Sequence, residues 1–161
     1  MSRLTVRMAF GVAALAVVST SADAQRRMRG GRAVRVERPG VGARVGYDFD
    51  ARHTFLGGQF NFPVARRWAL APSADFYLGT TGTPYRLNVD VKYHPPTAYG
   101  FFYFGGGLAI LHGSGNTDTG ANVFGGWEGR RYAPVKPFLE ARFVFANRTS
   151  FNVLGGLNFP L

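Results

Sequence analysis

Three polar residues near the middle of the chain have the types that nucleophilic catalysis requires. His112 and Ser114 are two positions apart, and Glu128 follows them. A serine hydroxyl can act as a nucleophile when a histidine accepts its proton and a carboxylate orients that histidine. However, residues 112–120 have the Gly, Ser, Asn and Thr composition of a flexible loop, and we expect Glu128 to lie a strand length away. An ordinary polar loop is the favoured interpretation, and no catalytic residue is predicted.

A second set of ionisable residues recurs at every second position of short segments. Its four cations and five anions sum to −1. Near neutrality favours an interior in which these charges pair with one another, and a narrow gated conduit is the alternative. His53 and His94 have no partners at metal-ligand spacing, so neither a metal site nor a cofactor is predicted. The predicted interior charge network comprises Arg44, Asp48, Asp75, Arg86, Asp90, Lys92, Glu128, Glu140 and Arg142.

These charges must be positioned by strands, because the residues around them alternate with a period of two. The fourth segment is the clearest, since Leu87, Val89 and Val91 alternate with charged or amide residues. Pro72 lacks a backbone donor and predicts a bulge or a strained point in the third segment. The fifth segment is apolar on both faces, so periodicity does not orient it. The predicted strands are 41–49, 55–62, 68–78, 85–93, 101–110, 121–128, 138–145 and 150–161.

The apolar set of these segments contains no Asp, Glu, Lys or Arg. A chain this small has no core for such a face to cover, whereas lipid would cover it. The pattern predicts an all-β fold, an eight-stranded antiparallel up-and-down transmembrane β-barrel over residues 41–161. With a periplasmic N-terminus, the predicted outer loops are 50–53, 79–83, 112–120 and 147–149. One predicted aromatic girdle comprises Phe62, Trp68, Tyr93, Phe102, Trp127 and Phe159, and the other comprises Tyr47, Phe49, Phe76, Tyr85, Phe145 and Phe151.

The N-terminal region has the layout of an exported protein. Residues 1–24 combine Arg3 and Arg7 with a short apolar run and a small-residue site ending at Ala24, which predicts a signal peptide. Residues 25–40 form a basic arm with six arginines and one glutamate. We expect a flexible periplasmic arm, with binding to anionic lipid headgroups or a short strand extension as alternatives. Nucleic-acid binding is not expected for an exported chain, and the absence of cysteine excludes disulfides.

Several runs resemble the small outer-membrane β-barrel family that includes OmpA- and OmpX-like proteins. They are residues 137–143, the glycine-rich residues 104–108 and residues 155–159. The resemblance implies a barrel in the outer membrane of a Gram-negative-type bacterium, with outer-membrane lipids and the barrel-assembly machinery as partners. Family members commonly end on an aromatic residue that this machinery reads, whereas here Pro160 and Leu161 follow Phe159. The His-x-Ser spacing at His112 is similar to that of the eight-stranded lipid A deacylases.

Strand number favours a structural or interaction role over catalysis or bulk transport. Eight strands enclose an interior that side chains largely fill. Two alternatives remain: a narrow barrel for small-molecule binding or passage, and a deacylase-like enzyme. Any ligand pocket would involve inward aromatic residues, which we expect to be packing, namely Phe101, Tyr103, Phe124 and Phe138. The contrary fold is a soluble lipocalin-like barrel, which would place the apolar set inside and the charges outside.

Overall fold

Alternating apolar and polar residues form eight β-strands in the computed structural model of the protein. The structure describes residues 38–80, 82–96, 102–113, 115–129 and 133–161. The predicted signal peptide, residues 25–37 of the basic arm, Phe101 and Ser114 lie outside these ranges. The strands are β1 (Gly40–Asp48), β2 (His53–Ala65), β3 (Trp68–Tyr77), β4 (Tyr85–Tyr93), β5 (Phe102–Gly113), β6 (Asn116–Glu128), β7 (Lys136–Phe145) and β8 (Thr149–Pro160).

Every strand pairs in antiparallel fashion with its neighbour in sequence, and β8 pairs with β1 to close the sheet. This closing seam runs from Gly40 opposite Pro160 to Asp48 opposite Asn152. Closure satisfies the outer hydrogen-bonding groups of β1 and β8, so the sheet has no edge strand. The predicted fold, an eight-stranded up-and-down antiparallel barrel, is confirmed. Among the described residues, no helix is long and apolar enough to cross a membrane.

The two faces of the sheet are the reverse of those in a soluble protein. Outward side chains such as Val89 and Leu108 are 55% and 69% exposed. Inward side chains such as Asp75 and Arg86 are completely buried. The lipocalin-like alternative required the opposite arrangement and is wrong for this chain.

The hairpin between β5 and β6 corrects one predicted loop. Residues 112–120 were expected to form an outer loop, but β5 continues to Gly113 and β6 begins at Asn116. Gly113 pairs with Asn116, and the pairing continues without a shift to Phe102 opposite Trp127. The turn requires glycine at position 115, where φ is +81° and a side chain would strain the backbone. The polar composition of residues 116–120 belongs to a strand end and not to a flexible loop.

Two further features lie at other positions than predicted, namely the irregularity in the sheet and the start of β7. Pro72 pairs in register with Val89, and the sheet has its register shift between Pro63 and Ala65 of β2 instead. Pro72 therefore causes no bulge, but the pairing of β3 with β2 is interrupted beside it, between the pairs Gln59–Ser73 and Phe62–Leu70, as expected of a residue without a backbone donor. Strand β7 begins at Lys136, two residues before the predicted start. This extension places another cation on the inward face.

The barrel has two ends, which we name from the chain termini. The terminal end contains Gly40, Pro160 and the turns after β2, β4 and β6, and the distal end contains the turns after β1, β3, β5 and β7. The distal connections span residues 49–52, 78–84, 114–115 and 146–148. The longest of them has seven residues, and the longest of the terminal connections, at residues 66–67, 94–101 and 129–135, has eight. Short connections at both ends leave the interior as the main place where polar groups converge.

Candidate functional site: the barrel interior

The barrel interior contains every residue of the predicted charge network. Glu128 is partly exposed at the terminal end, and the other eight are buried. Lys136, which lies two residues before the predicted start of β7, is buried on the same face. With Lys136 added, the network has five cations and five anions, a net charge of zero. The signal that would have found Lys136 is its even spacing from Phe138, Glu140 and Arg142.

The distal half of the interior is organised around Asp75. The guanidinium of Arg44 donates from Nε to Asp75 Oδ1 and from Nη2 to Oδ2, both at 2.7 Å. Arg86 donates to Oδ2 from Nε at 3.1 Å and from Nη2 at 3.0 Å. The Arg86 guanidinium also lies 5.0 Å from the centre of the Phe55 ring. One carboxylate thus accepts hydrogen bonds from two arginines at a buried position, where charge-assisted hydrogen bonds are strongest.

A second ionic cluster surrounds Arg142. Its Nη2 atom is 2.8 Å from Asp90 Oδ2 and 2.8 Å from Glu140 Oε1. The guanidinium lies over the Phe124 ring, 4.5 Å from the centroid. Tyr103 donates its hydroxyl hydrogen to Glu140 Oε2 at 2.8 Å. Here two carboxylates share one arginine, whereas in the Asp75 cluster two arginines share one carboxylate.

A third cluster lies at the terminal end of the interior. His94 Nε2 is 3.4 Å from Glu128 Oε2, and Asn158 donates to Glu128 Oε1 at 2.9 Å. Gln59 donates to Asn158 at 2.7 Å and accepts a hydrogen bond from Arg44 at 3.2 Å. The third cluster is therefore joined to the first by side-chain hydrogen bonds. The void between these groups and Lys136 measures about 20 Å³, room for a single water molecule.

Inward glycines explain how side chains from strands two apart can meet. Arg44, Gly57 and Asp75 lie in one register row across β1, β2 and β3. A Cβ at Gly57 would overlap Asp75 Oδ1, so only glycine leaves the path between the arginine and the carboxylate free. Tyr103, Gly126 and Glu140 form the same arrangement across β5, β6 and β7. A Cβ at Gly126 would lie 2.7 Å from the Tyr103 hydroxyl. These close approaches are the structural reason for glycine at the two positions.

The inward aromatic residues fill the barrel. Tyr103, Phe124 and Phe138 are all buried. The ammonium of Lys92 lies 4.8 Å from the Tyr103 ring centre and 5.7 Å from that of Phe138. At such distances the ring faces attract the cation. These three rings pack against interior cations, and none of them lines the ligand pocket that was the alternative prediction.

The distal end opens into a cavity of about 1010 Å³. Its lining includes Asp48, Tyr77, His112, Asp118 and Arg148. Asp48 is buried. It accepts hydrogen bonds from the Tyr77 hydroxyl at 3.2 Å and from the backbone N–H groups of residues 50 and 51. The interior is thus open distally and filled by the Asp75 and Arg142 clusters below this cavity.

Two of the residues considered for catalysis, His112 and Glu128, do not come together. His112 pairs with Thr117 across the hairpin, and its Nδ1 atom is 2.8 Å from the Thr117 hydroxyl. Glu128 is eleven residues farther along β6, which at about 3.4 Å per residue is a separation of roughly 37 Å. A His112–Glu128 pair is therefore impossible in this fold. Within the described ranges, no group of three or more His, Asp or Glu side chains is arranged to hold a metal ion.

Aromatic side chains lie at both ends of the outward face, where the two girdles were expected. At the terminal end the Trp68 and Tyr93 rings have centroids 4.7 Å apart, and Tyr93 and Phe104 follow at 5.3 Å. At the distal end Phe49 and Phe151 stack at 5.5 Å. The remaining girdle residues all lie on the outward face, namely Tyr47, Phe62, Phe76, Tyr85, Phe102, Trp127, Phe145 and Phe159.

A closed eight-stranded barrel with polar side chains inside and apolar side chains outside defines the architecture of the small outer-membrane barrels. The N-terminal β-barrel domain of Pseudomonas aeruginosa OprF superposes with a TM-score of 0.65 at 16% identity, covering 78% of this chain and 98% of that one. The predicted resemblance to small outer-membrane barrels is thus confirmed at the level of the fold. No protein-family model and no curated protein sequence matches the chain.

Designed proteins share this architecture. A de novo designed transmembrane β-barrel matches with a TM-score of 0.56 at 12% identity, covering 79% of this chain and 98% of the design. The designed barrel TMB2.3, solved by NMR in solution, matches with a TM-score of 0.54 at 10% identity, covering 78% and 94%. Since these chains were designed, the likeness describes an architecture and assigns no activity.

Proposed function

We propose that this protein is an integral outer-membrane β-barrel with a filled, ion-paired interior and a structural or interaction role in the cell envelope. The observation that carries the proposal is the inverted distribution of side chains. Twenty-six large apolar or aromatic residues of the described chain are exposed, while Arg44, Asp75, Arg86, Glu140 and Arg142 are buried. Water would favour the opposite arrangement, and a hydrocarbon solvent favours this one.

Strand length supports the membrane setting. The strands contain nine to thirteen residues, and a tilted strand needs about 9–11 residues to cross the hydrocarbon layer. Tyr85 and Tyr93 bracket the apolar part of β4. This spacing suits rings held at two headgroup layers. A signal peptide over residues 1–24, insertion by the barrel-assembly machinery and an outer membrane of the Gram-negative type complete the proposal.

The interior argues against bulk transport. Porins need about sixteen strands to leave an aqueous channel, whereas eight strands leave room mainly for side chains. The Asp75 and Arg142 clusters occupy that room with fully buried ion pairs. Their net charge of zero gives no single-sign path for ions. The proposed role of the interior is therefore to stabilise the barrel. Any interaction with a partner would take place at the surfaces of the two ends.

A second candidate function is the binding of a small molecule in the distal cavity. The cavity volume of about 1010 Å³ is sufficient for a ligand, since ligand sites measure about 300–1,000 Å³. Asp118 and Arg148 at its mouth offer polar contacts. The separation of His112 and Glu128 gives no support to a deacylase-like reaction that uses this pair.

Conductance across a planar bilayer tests the filled interior. The purified barrel is expected to give no steady open steps, because its buried ion pairs block the lumen. Heat-modifiable migration in a detergent gel provides the control, since a shift on boiling shows that the sample was folded before reconstitution. Steady open steps from a folded wild-type sample would contradict the filled interior and favour the narrow conduit.

A further inference from the structure

Three buried polar atoms in the middle of the lumen have no hydrogen-bond partner within the described ranges. They are Asn88 Oδ1, Asn122 Oδ1 and Arg142 Nη1. The three residues belong to different strands, and each is at most 2% exposed. Buried polar groups are nearly always paired, either with the protein or with an ordered water molecule. Each of these atoms therefore indicates a bound molecule.

The three side chains adjoin one carboxylate, that of Asp90. Asn122 donates from Nδ2 to Asp90 Oδ1 at 2.9 Å, and Arg142 Nη2 is 2.8 Å from Asp90 Oδ2. Asn88 precedes Asp90 by two positions on β4, so both side chains lie on the inward face, about 7 Å apart along the strand. We name Asn88, Asp90, Asn122 and Arg142 the mid-barrel site.

The neighbouring carboxylates fix the orientation of the two amides. If the Asn122 amide were turned over, its oxygen would face the Asp90 carboxylate, and two acceptors would repel each other. Asn88 likewise directs its Nδ2 atom toward Asp75 Oδ2, at 3.4 Å. The amide oxygens are thus the ends directed away from the carboxylates, and a change of amide orientation does not remove the unpaired acceptors.

Strand β5 presents only small residues to the mid-barrel site. Gly107 lies between Asp90 and Asn122 in one register row, and Ala109 lies beside Asn88 in a neighbouring row. A Cβ at Gly107 would overlap Asp90 Oδ1, so glycine is what allows Asp90 to reach across β5 to Asn122. Ala109 extends one carbon into the lumen. No long side chain of β5 therefore competes for the space beside the Asn88 amide.

The unpaired atoms select water among small ligands. They are one guanidinium donor and two amide acceptors, and a water molecule can accept and donate at the same time. A metal cation would be repelled by the guanidinium, and a halide would meet the amide oxygens and the Asp90 carboxylate. Buried water molecules typically make about three hydrogen bonds to groups of this kind.

We propose that the mid-barrel site binds internal water, which donates to the amide oxygens of Asn88 and Asn122 and accepts from Arg142 Nη1. The inference goes beyond the proposed function, because it assigns a bound molecule to the lumen. Asn88 also donates to Asp75, whereas Asn122 donates to Asp90. The water consequently joins the Asp75 cluster to the Arg142 cluster in one hydrogen-bonded network.

A crystal structure of the purified protein, at a resolution that shows ordered solvent, tests the mid-barrel site. Density for water is expected within about 2.7–3.2 Å of the oxygens of Asn88 and Asn122 and of Arg142 Nη1. Growth of the crystals in sodium bromide distinguishes water from a halide, because bromide scatters anomalously. The absence of density at these atoms, or an anomalous peak beside Arg142, would overturn the proposal.

Two matched variants test which amide holds the water, since each replaces a buried amide by an apolar side chain of similar size. Asn122→Leu removes an unpaired acceptor and should abolish the density beside that position. Gln59→Met should leave the mid-barrel density unchanged, because the Gln59 amide has partners at both ends, in Arg44 and Asn158. Density that persists unchanged in Asn122→Leu, or that is lost in Gln59→Met, would contradict the assignment. If a variant fails to fold, the wild-type structure decides alone.

Discussion

The variant Asp75→Asn is expected to lower the free energy of unfolding by about 3–5 kcal/mol. Asp75 is the carboxylate partner of both Arg44 and Arg86, with N–O distances of 2.7 and 3.0 Å. Removing its charge leaves two buried guanidinium groups without that partner, and desolvated charges are costly when they are not paired. The measurement is urea unfolding of the barrel in lipid vesicles, followed by tryptophan fluorescence.

Two comparisons identify the cause of the Asp75 effect. The variant Asp118→Asn removes a carboxylate at the distal mouth, where solvent can compensate, and should cost less than about 1 kcal/mol. Replacing Arg44, Asp75 and Arg86 together by apolar residues of similar volume should cost less than the single change, because no unpaired charge remains. A loss below about 1 kcal/mol for Asp75→Asn would show that these charges do not depend on one another.

The second large effect is expected on the outward face. Val89 is the middle residue of β4, 55% exposed, with Tyr85 four positions before it and Tyr93 four positions after. If β4 crosses a bilayer, Val89 lies near the midplane. Arginine at that depth costs about 2–4 kcal/mol. The variant Val89→Arg should therefore lose this much unfolding free energy in vesicles.

The chain offers a matched control for Val89. Val64 near the terminal end of β2 is also outward and 65% exposed. Arginine near the interface costs about 0–1 kcal/mol, so Val64→Arg should be nearly neutral. In a water-soluble barrel, both substitutions would lie on an aqueous surface and change stability by less than about 0.5 kcal/mol. Equal small effects at the two sites would thus contradict the membrane setting.

Much of the fold could be predicted from the sequence because β4 and β7 alternate cleanly. In β4 the apolar residues lie outward and the polar residues inward, as a period of two requires. In β7 every charged residue is likewise inward, where Phe138 and Val144 lie beside them. The start and end of β4 were predicted to the residue, from Tyr85 to Tyr93. Where one face is charged and the other apolar, a shift of one residue would bury the wrong set, so the register is strongly specified.

Strand β5 and the first residues of β6 were difficult to predict because their composition does not indicate their conformation. Strand β5 is apolar on both faces, and Tyr103 is inward because Gly126 on β6 leaves space for its ring. Residues 116–120 resemble a loop in composition, yet the tight turn at Gly115 pairs them with β5. Both outcomes depend on the neighbouring strand, which the local pattern of one segment does not contain.

Most members of the interior network could be predicted, Lys136 being an exception, but their partners could not. Inward charges follow from alternation, whereas the pairing of Arg44 with Asp75 depends on a row that crosses β2 at Gly57. Registers of successive strands fix such rows, and turn geometry helps to set each register. A small residue on the strand between two large polar residues is the feature that would indicate such a pair. It recurs at Gly126 between Tyr103 and Glu140.

Cell fractionation tests the central claim, that the apolar face of this barrel meets lipid, most directly. The full chain, including the predicted signal peptide over residues 1–24, would be expressed in a Gram-negative host, and the membranes would be washed with alkaline carbonate. The protein should remain in the outer-membrane fraction through the wash and enter solution only with detergent, because its exposed apolar side chains have no aqueous partner. Release of folded protein without detergent would contradict the account.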